Sequence, residues 1–155
     1  MDKISVDKKY LKYREQVLKY SYKDMNLELQ NDNQVYIVVF DIPTESGIIF
    51  GHTKTLALLF GLNTHIYLGS GDAVTGLEKN KDVMQSMQSL LISSSQVLKK
   101  MSLVDKSDFY ESKNVRAYLK TRKGIFFREI VNDCKEDKFL LMLMENVLQA
   151  VSKHL

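Results

Sequence analysis

The chain has 155 residues, of which 45% are hydrophobic and 26% charged, and a formal net charge of +3. That length fits a single domain over 1–155 with a sizeable core, and one proline with no low-complexity tract excludes a linker or a disordered tail. The excess of 22 Lys+Arg over 19 Asp+Glu is too slight to argue for nucleic acid as a partner.

The first element predicted is a helix over 5–25, within an N-terminal segment spanning 1–28. Val6, Tyr10, Tyr13, Val17 and Tyr20 recur at spacings of three and four, and Leu11 and Leu18 widen the stripe. QNDNQ at 30–34 is a polar break, after which a sheet-and-helix core is expected over 35–153. VYIVVF at 35–40 is β-branched, aromatic and short, which predicts a buried central strand ended by Pro43 and Gly47. Residues 48–60 admit one bent strand, two strands, or a helix over 54–61. The preferred reading is a hairpin from TLALLF into THIYLG through FGLN at 60–63.

Residues 80–101 predict a long helix. Asn80 suits the N-cap and Asp82 the first turn, while Val83, Met84, Met87, Leu90, Leu91, Leu98 and Met101 form one stripe. In 114–130, Val115, Ala117 and Leu119 alternate with Arg116, Tyr118 and Lys120, and Lys123-Gly124 supplies a hairpin turn. Asp133 and Glu136 have capping-box spacing ahead of a last helix reaching about Val151. That helix is apolar on more than one face, so the sheet and a second element should cover it. The predicted order is α–βββ–α–ββ–α: an α+β fold with an antiparallel five-stranded sheet flanked by helices. The run βββ–α–ββ–α over roughly 35–153 resembles the longin and profilin-like group, with roadblock domains as close relatives. The extra N-terminal helix and the three strands before the middle helix depart from that pattern.

The Gly-rich stretch GSGDAVTG at 69–76 is the first place to look for chemistry. For a dinucleotide fingerprint the third glycine, Gly76, comes two residues late after Gly69 and Gly71. Gly71 and Gly76 have P-loop spacing, but Leu77 and Glu78 stand where Lys and Ser/Thr belong, and Asp72 sits inside the loop. A turn whose glycines take positive φ is the preferred reading, with a ligand loop at Gly69, Gly71, Asp72 and Gly76 as the alternative. His52, His65 and His154 are too scattered to hold a metal, so no metal site and no cofactor are expected. Cys134 lies among Asp133, Glu136 and Asp137, with no base close in sequence, which is a poor setting for a thiolate. Asp41 and Glu45, just past a central strand, are the best carboxylate pair, and no catalytic residue is assigned.

The most suggestive surface is the first helix. Four of the eight tyrosines lie within residues 10–22, interleaved with lysines. Tyr10, Lys12, Tyr13, Lys19 and Tyr20 are therefore the candidate partner-binding residues, against the alternative that these tyrosines pack on the protein's own sheet. The lone cysteine, an N-terminus without a signal-peptide core, and a longest apolar run of only FLLMLM (139–144) predict a cytoplasmic protein of bacterial type with no membrane contact. The functional expectation is a non-catalytic protein–protein interaction module that binds another protein or itself as a dimer, for instance a toxin-neutralising immunity or regulatory protein. The alternatives are a ligand-sensing domain with a pocket beside the Gly69–Gly76 loop and a small enzyme using Asp41, Glu45 or His65.

Overall fold

The computed structural model describes residues 6–43, 53–60 and 63–153. Its elements are α1 (Lys8–Lys19), β1 (Ile37–Pro43), β2 (Thr53–Leu59), β3 (Asn63–Leu68), β4 (Ala73–Val74), α2 (Lys81–Ser93), β5 (Ser102–Val104), β6 (Val115–Thr121), β7 (Gly124–Ile130) and α3 (Lys135–Ser152), with short 3-10 helices at Leu77–Lys79 and Ser94–Lys100. The strands form one antiparallel sheet in the order β4-β3-β2-β1-β6-β7-β5. The sheet thus has seven strands where five were expected, and β4 and β5 interrupt the predicted element order. They are only two and three residues long, too short to show an alternating pattern.

β1 is central because its sequence buries both faces. Val38, Phe40 and Ile42 enter an apolar core with Met87, Leu90 and Leu91 of α2 and Leu140, Leu143 and Val147 of α3. Ile37 and Val39 point the other way, into a cluster with Tyr10, Val17 and Leu18 of α1. The molecule therefore has three layers, with α2 and α3 on one side of the sheet and α1 on the other. Each fully buried Leu, Ile, Val, Phe or Met contributes about 1.5–3 kcal/mol over its exposed state.

Three predicted boundaries shift for identifiable reasons. β1 runs Ile37–Pro43 where 35–40 was expected, and Pro43 ends it as expected, opposite Thr53 of β2. The 48–60 question resolves over its described part as strand: β2 runs antiparallel to β3, so the helix over 54–61 does not form. Residues 48–52 lie outside the described residues, as does the predicted turn at Gly47. The predicted 80–101 helix tightens to 3-10 geometry after Ser93, where the Ser94 hydroxyl donates to the Leu91 carbonyl and competes with the α-helical ladder. At α3 the N-cap is Cys134 without a side-chain cap, not Asp133. Among the described residues, no helix is long and apolar enough to cross a membrane.

Candidate functional site

The two faces of the sheet differ in chemistry, and the polar one carries the candidate site. Register places Tyr67, Thr55, Asp41, Arg116 and Glu129 opposite one another across β3, β2, β1, β6 and β7. The alternation that sends Ile37 and Val39 toward α1 sends this row there too. Above it lie Tyr10 and Arg14 of α1 and the irregular segment 105–114.

Asp41 is fully buried and fully engaged. Arg14 Nε donates to both carboxylate oxygens at 3.0 Å and Nη2 donates to Oδ2 at 2.8 Å. Thr55 Oγ1 donates to Oδ1 at 2.7 Å. Since the Thr55 proton is committed there, the Tyr10 hydroxyl is the donor in its 2.5 Å contact with Thr55. Burial, with the Asp41 charge adding to it, pushes Tyr10 up to about 12, so the phenol stays protonated. Arg14 Nη1 reaches out of the sheet to the Ser107 carbonyl at 2.7 Å, and its guanidinium lies 4.9 Å from the Tyr118 ring centre.

Arg116, next in the row, is also buried. Its guanidinium donates to the carbonyls of Tyr110, Ser112 and Asn114 at 2.7–3.2 Å and stands beside the rings of Phe109 and Tyr110, while Nε finds no protein partner. Glu129 closes the row. It accepts from the Tyr110 hydroxyl and, at 2.9 Å each, from Ser112 Oγ and Asn114 Nδ2. The Tyr110 hydrogen bond leads the effects that hold its carboxyl below the usual carboxylate range. The segment 105–114 is thus strapped over the row by Arg14, Arg116 and Glu129.

This geometry leaves no open valence on Asp41: both oxygens are taken by a bidentate arginine and a threonine. It is a lock between α1, the sheet and the strap, without the free lone pair that a general base needs. Glu45, its proposed companion, lies outside the described residues with His52 and His154.

The glycine loop turns a corner. Gly69 N donates to Thr53 O, Gly71 N to Leu68 O and Leu68 N to Asp72 O, while Gly69 O accepts from Asp7 N. Gly71 has φ +101°, and a Cβ there would lie 2.8 Å from Cγ of Asp7, the residue that caps α1. Gly76 has φ +73° and leads into the 3-10 turn, while Asp72 is exposed and accepts from Ser70 Oγ. The loop amides at 69 and 71 are spent on the backbone, and the loop receives the start of α1.

The five candidate residues on α1 divide. Tyr10 is 0% exposed and packs inward, so it presents nothing to a partner. Tyr13 is half-buried and stacks on Tyr67. Lys12, Lys19 and Tyr20 are exposed, with Lys19 paired to Glu15 one turn away. Arg14, although it lies between lysines in the sequence, is buried. Its position four residues after Tyr10 was the signal that it faces inward. His65 is half-buried, and burial holds its imidazole below the ordinary value.

Asp133, Cys134 and Asp137 bring ligand atoms within 4.8 Å of one another. Arg128 already bridges them, donating to Asp137 Oδ1 at 2.5 Å and lying 3.6 Å from Asp133, so the local cation is a guanidinium. No family model matches the chain, and comparison with curated proteins and with solved structures gives no match.

Proposed function

We propose that this protein is a non-catalytic protein-binding module whose contact face is the outer side of α1 with the adjoining strap. The observation that carries this reading is the division of labour on α1. Its inner side is spent on a buried ion pair, while its outer side carries Leu11 (38% exposed) and the exposed Lys8, Lys9 and Lys12, with Tyr20 (45% exposed) at the C-cap beyond it. A helix held by directional bonds loses little further freedom on docking, which favours association. Large side chains among lysines suit an apolar centre with an acidic rim on the partner. A regulatory or toxin-neutralising role belongs to the same class, as does self-association.

The test is a double variant, Leu11→Asp with Lys12→Glu, both at exposed positions. The melting temperature should be unchanged, and the partner recovered by crosslinking in cells with the wild-type chain should be lost. For self-association, light scattering should show the wild-type oligomer dissociate in the variant. Retention of the same partner or oligomer by the variant overturns the contact face. Substrate turnover by the purified chain overturns the non-catalytic reading.

A further inference from the structure

Beneath the C-terminal half of α1 lies a cleft of about 360 Å³ between Val17 and Tyr20 of the helix, Asp24 and Met25 after it, and Asn63 and His65 of β3. It shares Tyr20 with the proposed contact face but not Leu11 or Lys12, and what it can hold follows from the residues that line it.

Two rings of its lining, Tyr67 and His65, belong to a row of three that starts at Tyr13. Tyr13 stacks on Tyr67 with centroids 5.2 Å apart and planes at 28°, and Tyr67 stacks on His65 at 5.8 Å and 26°. Tyr67 and His65 are two apart on β3, so they share a face, and the next residue on that face is Asn63. Asn63 is short and exposed. Among the described residues the row of rings ends at His65, and His65 and Asn63 both line the cleft, so a further layer beyond His65 would lie there.

The imidazole suits that place. Its Nδ1 is buried with no partner among the described residues, so a charged ring would bury an N–H without an acceptor. The proton of the neutral ring is accordingly assigned to Nε2. The lining residues offer no cation, and their only formal charge is the Asp24 carboxylate. Phosphates and carboxylates find no cation to pair with among these residues. A neutral or cationic ring finds aromatic and aliphatic walls with hydrogen-bonding groups at the rim, the usual make-up of a small-molecule site.

We propose that this cleft binds a small planar aromatic ligand, uncharged or cationic, which lies on the free face of His65 as the fourth layer of the Tyr13–Tyr67–His65 stack. Aromatic pairs in this arrangement gain about 0.5–1.5 kcal/mol beyond the area they bury.

Three matched probes test it: tyramine (cationic), 4-ethylphenol (neutral) and 4-hydroxyphenylacetate (anionic). Each has about ten non-hydrogen atoms and should bind near ~1 mM if it binds. Saturation-transfer NMR on the full chain should show contact for the first two, weaker or no contact for the third, and a shift of the His65 ring protons. Asn63→Trp places a ring of the protein's own in the fourth layer from an exposed position. It should weaken tyramine about tenfold or more while the melting temperature holds. Should Asn63→Trp fail to fold, His65→Leu, which removes the stacking surface and keeps the volume, should weaken tyramine in the same way. The proposal is overturned by three silent probes, by equal binding of the anion, or by a folded variant that binds tyramine as the wild type does. The Leu11→Asp, Lys12→Glu variant should bind tyramine normally, so the protein-contact reading and this site fail independently.

Discussion

On one face of the sheet, Val38, Phe40, Leu56, Leu58 and Leu119 meet α2 and α3 through hydrocarbon and the Met87 thioether, with a single bidentate pair, Arg128–Asp137, joining β7 to α3 among the described residues. On the other, Asp41, Thr55, Arg116 and Glu129 meet α1 and the strap through hydrogen bonds, an ion pair and ring contacts. Hydrophobic burial is non-directional and tolerates small slips, whereas a bidentate Arg–carboxylate contact works at one position and one angle. The first face supplies a stable platform. The second sets where α1 sits, which is what a helix with a working outer surface requires.

Removing one charge tests that contrast most severely. Arg14→Ala leaves Asp41 charged and buried without its partner and should cost about 3–5 kcal/mol by urea unfolding. The double replacement Arg14→Met, Asp41→Leu removes both charges and should restore most of that loss or better. A double variant as unstable as the single one would mean that the ion pair contributes net stability, not mainly placement. On the other face, Leu90→Ala should cost about 2–5 kcal/mol by the same measurement, with no rescue by any change of charge.

High pH should separate the faces without mutation. Tyr10, Tyr67 and Tyr118 all lie on the α1 side, and burial, the largest cause for each, pushes them up to about 12. Unfolded tyrosine ionises near 10. Their contribution is therefore fully present below pH ~10 and is lost as pH rises through about 12. Absorbance titration should show these phenols ionising late, together with loss of α1 protection in hydrogen exchange before α2 and α3 open. Simultaneous opening of both faces would show that the sheet unfolds as one unit.

The apolar face was legible in the sequence because its evidence is periodic: the stripe from Val83 to Leu91 and the alternation of Val115, Ala117 and Leu119 mark their inner sides directly. The polar row was not. Thr55, Asp41, Arg116 and Glu129 are neighbours only through strand register, and register between strands distant in the chain leaves no local mark. Arg14 is hard to place for a related reason: read without its partner, its charge outweighs its stripe position. β5 was invisible because three residues, Ser102–Val104, have no period to read. The cleft beside His65 went unseen because its walls come from α1, the turn after it and β3.

The smallest effect is expected at Gly71, which joins the two readings of the glycine loop. If the loop cradles a phosphate, Gly71→Ala should lower anion affinity and leave stability largely intact. The contacts give the opposite expectation. Gly71 has φ +101°, and a methyl there would lie 2.8–3.2 Å from Cγ, Oδ1 and Cβ of Asp7. Asp7 caps α1 through Lys9 N at 2.8 Å and docks it through Gly69 O. The added methyl must displace that cap while holding a strained backbone, at a cost of about 1–3 kcal/mol. Hydrogen exchange should quicken in the first turn of α1 and stay unchanged in α3. Because the disturbance enters at the cap, Asp7→Gly in the same background should relieve the side-chain clash and recover part of the loss, leaving the backbone strain and the missing side-chain cap.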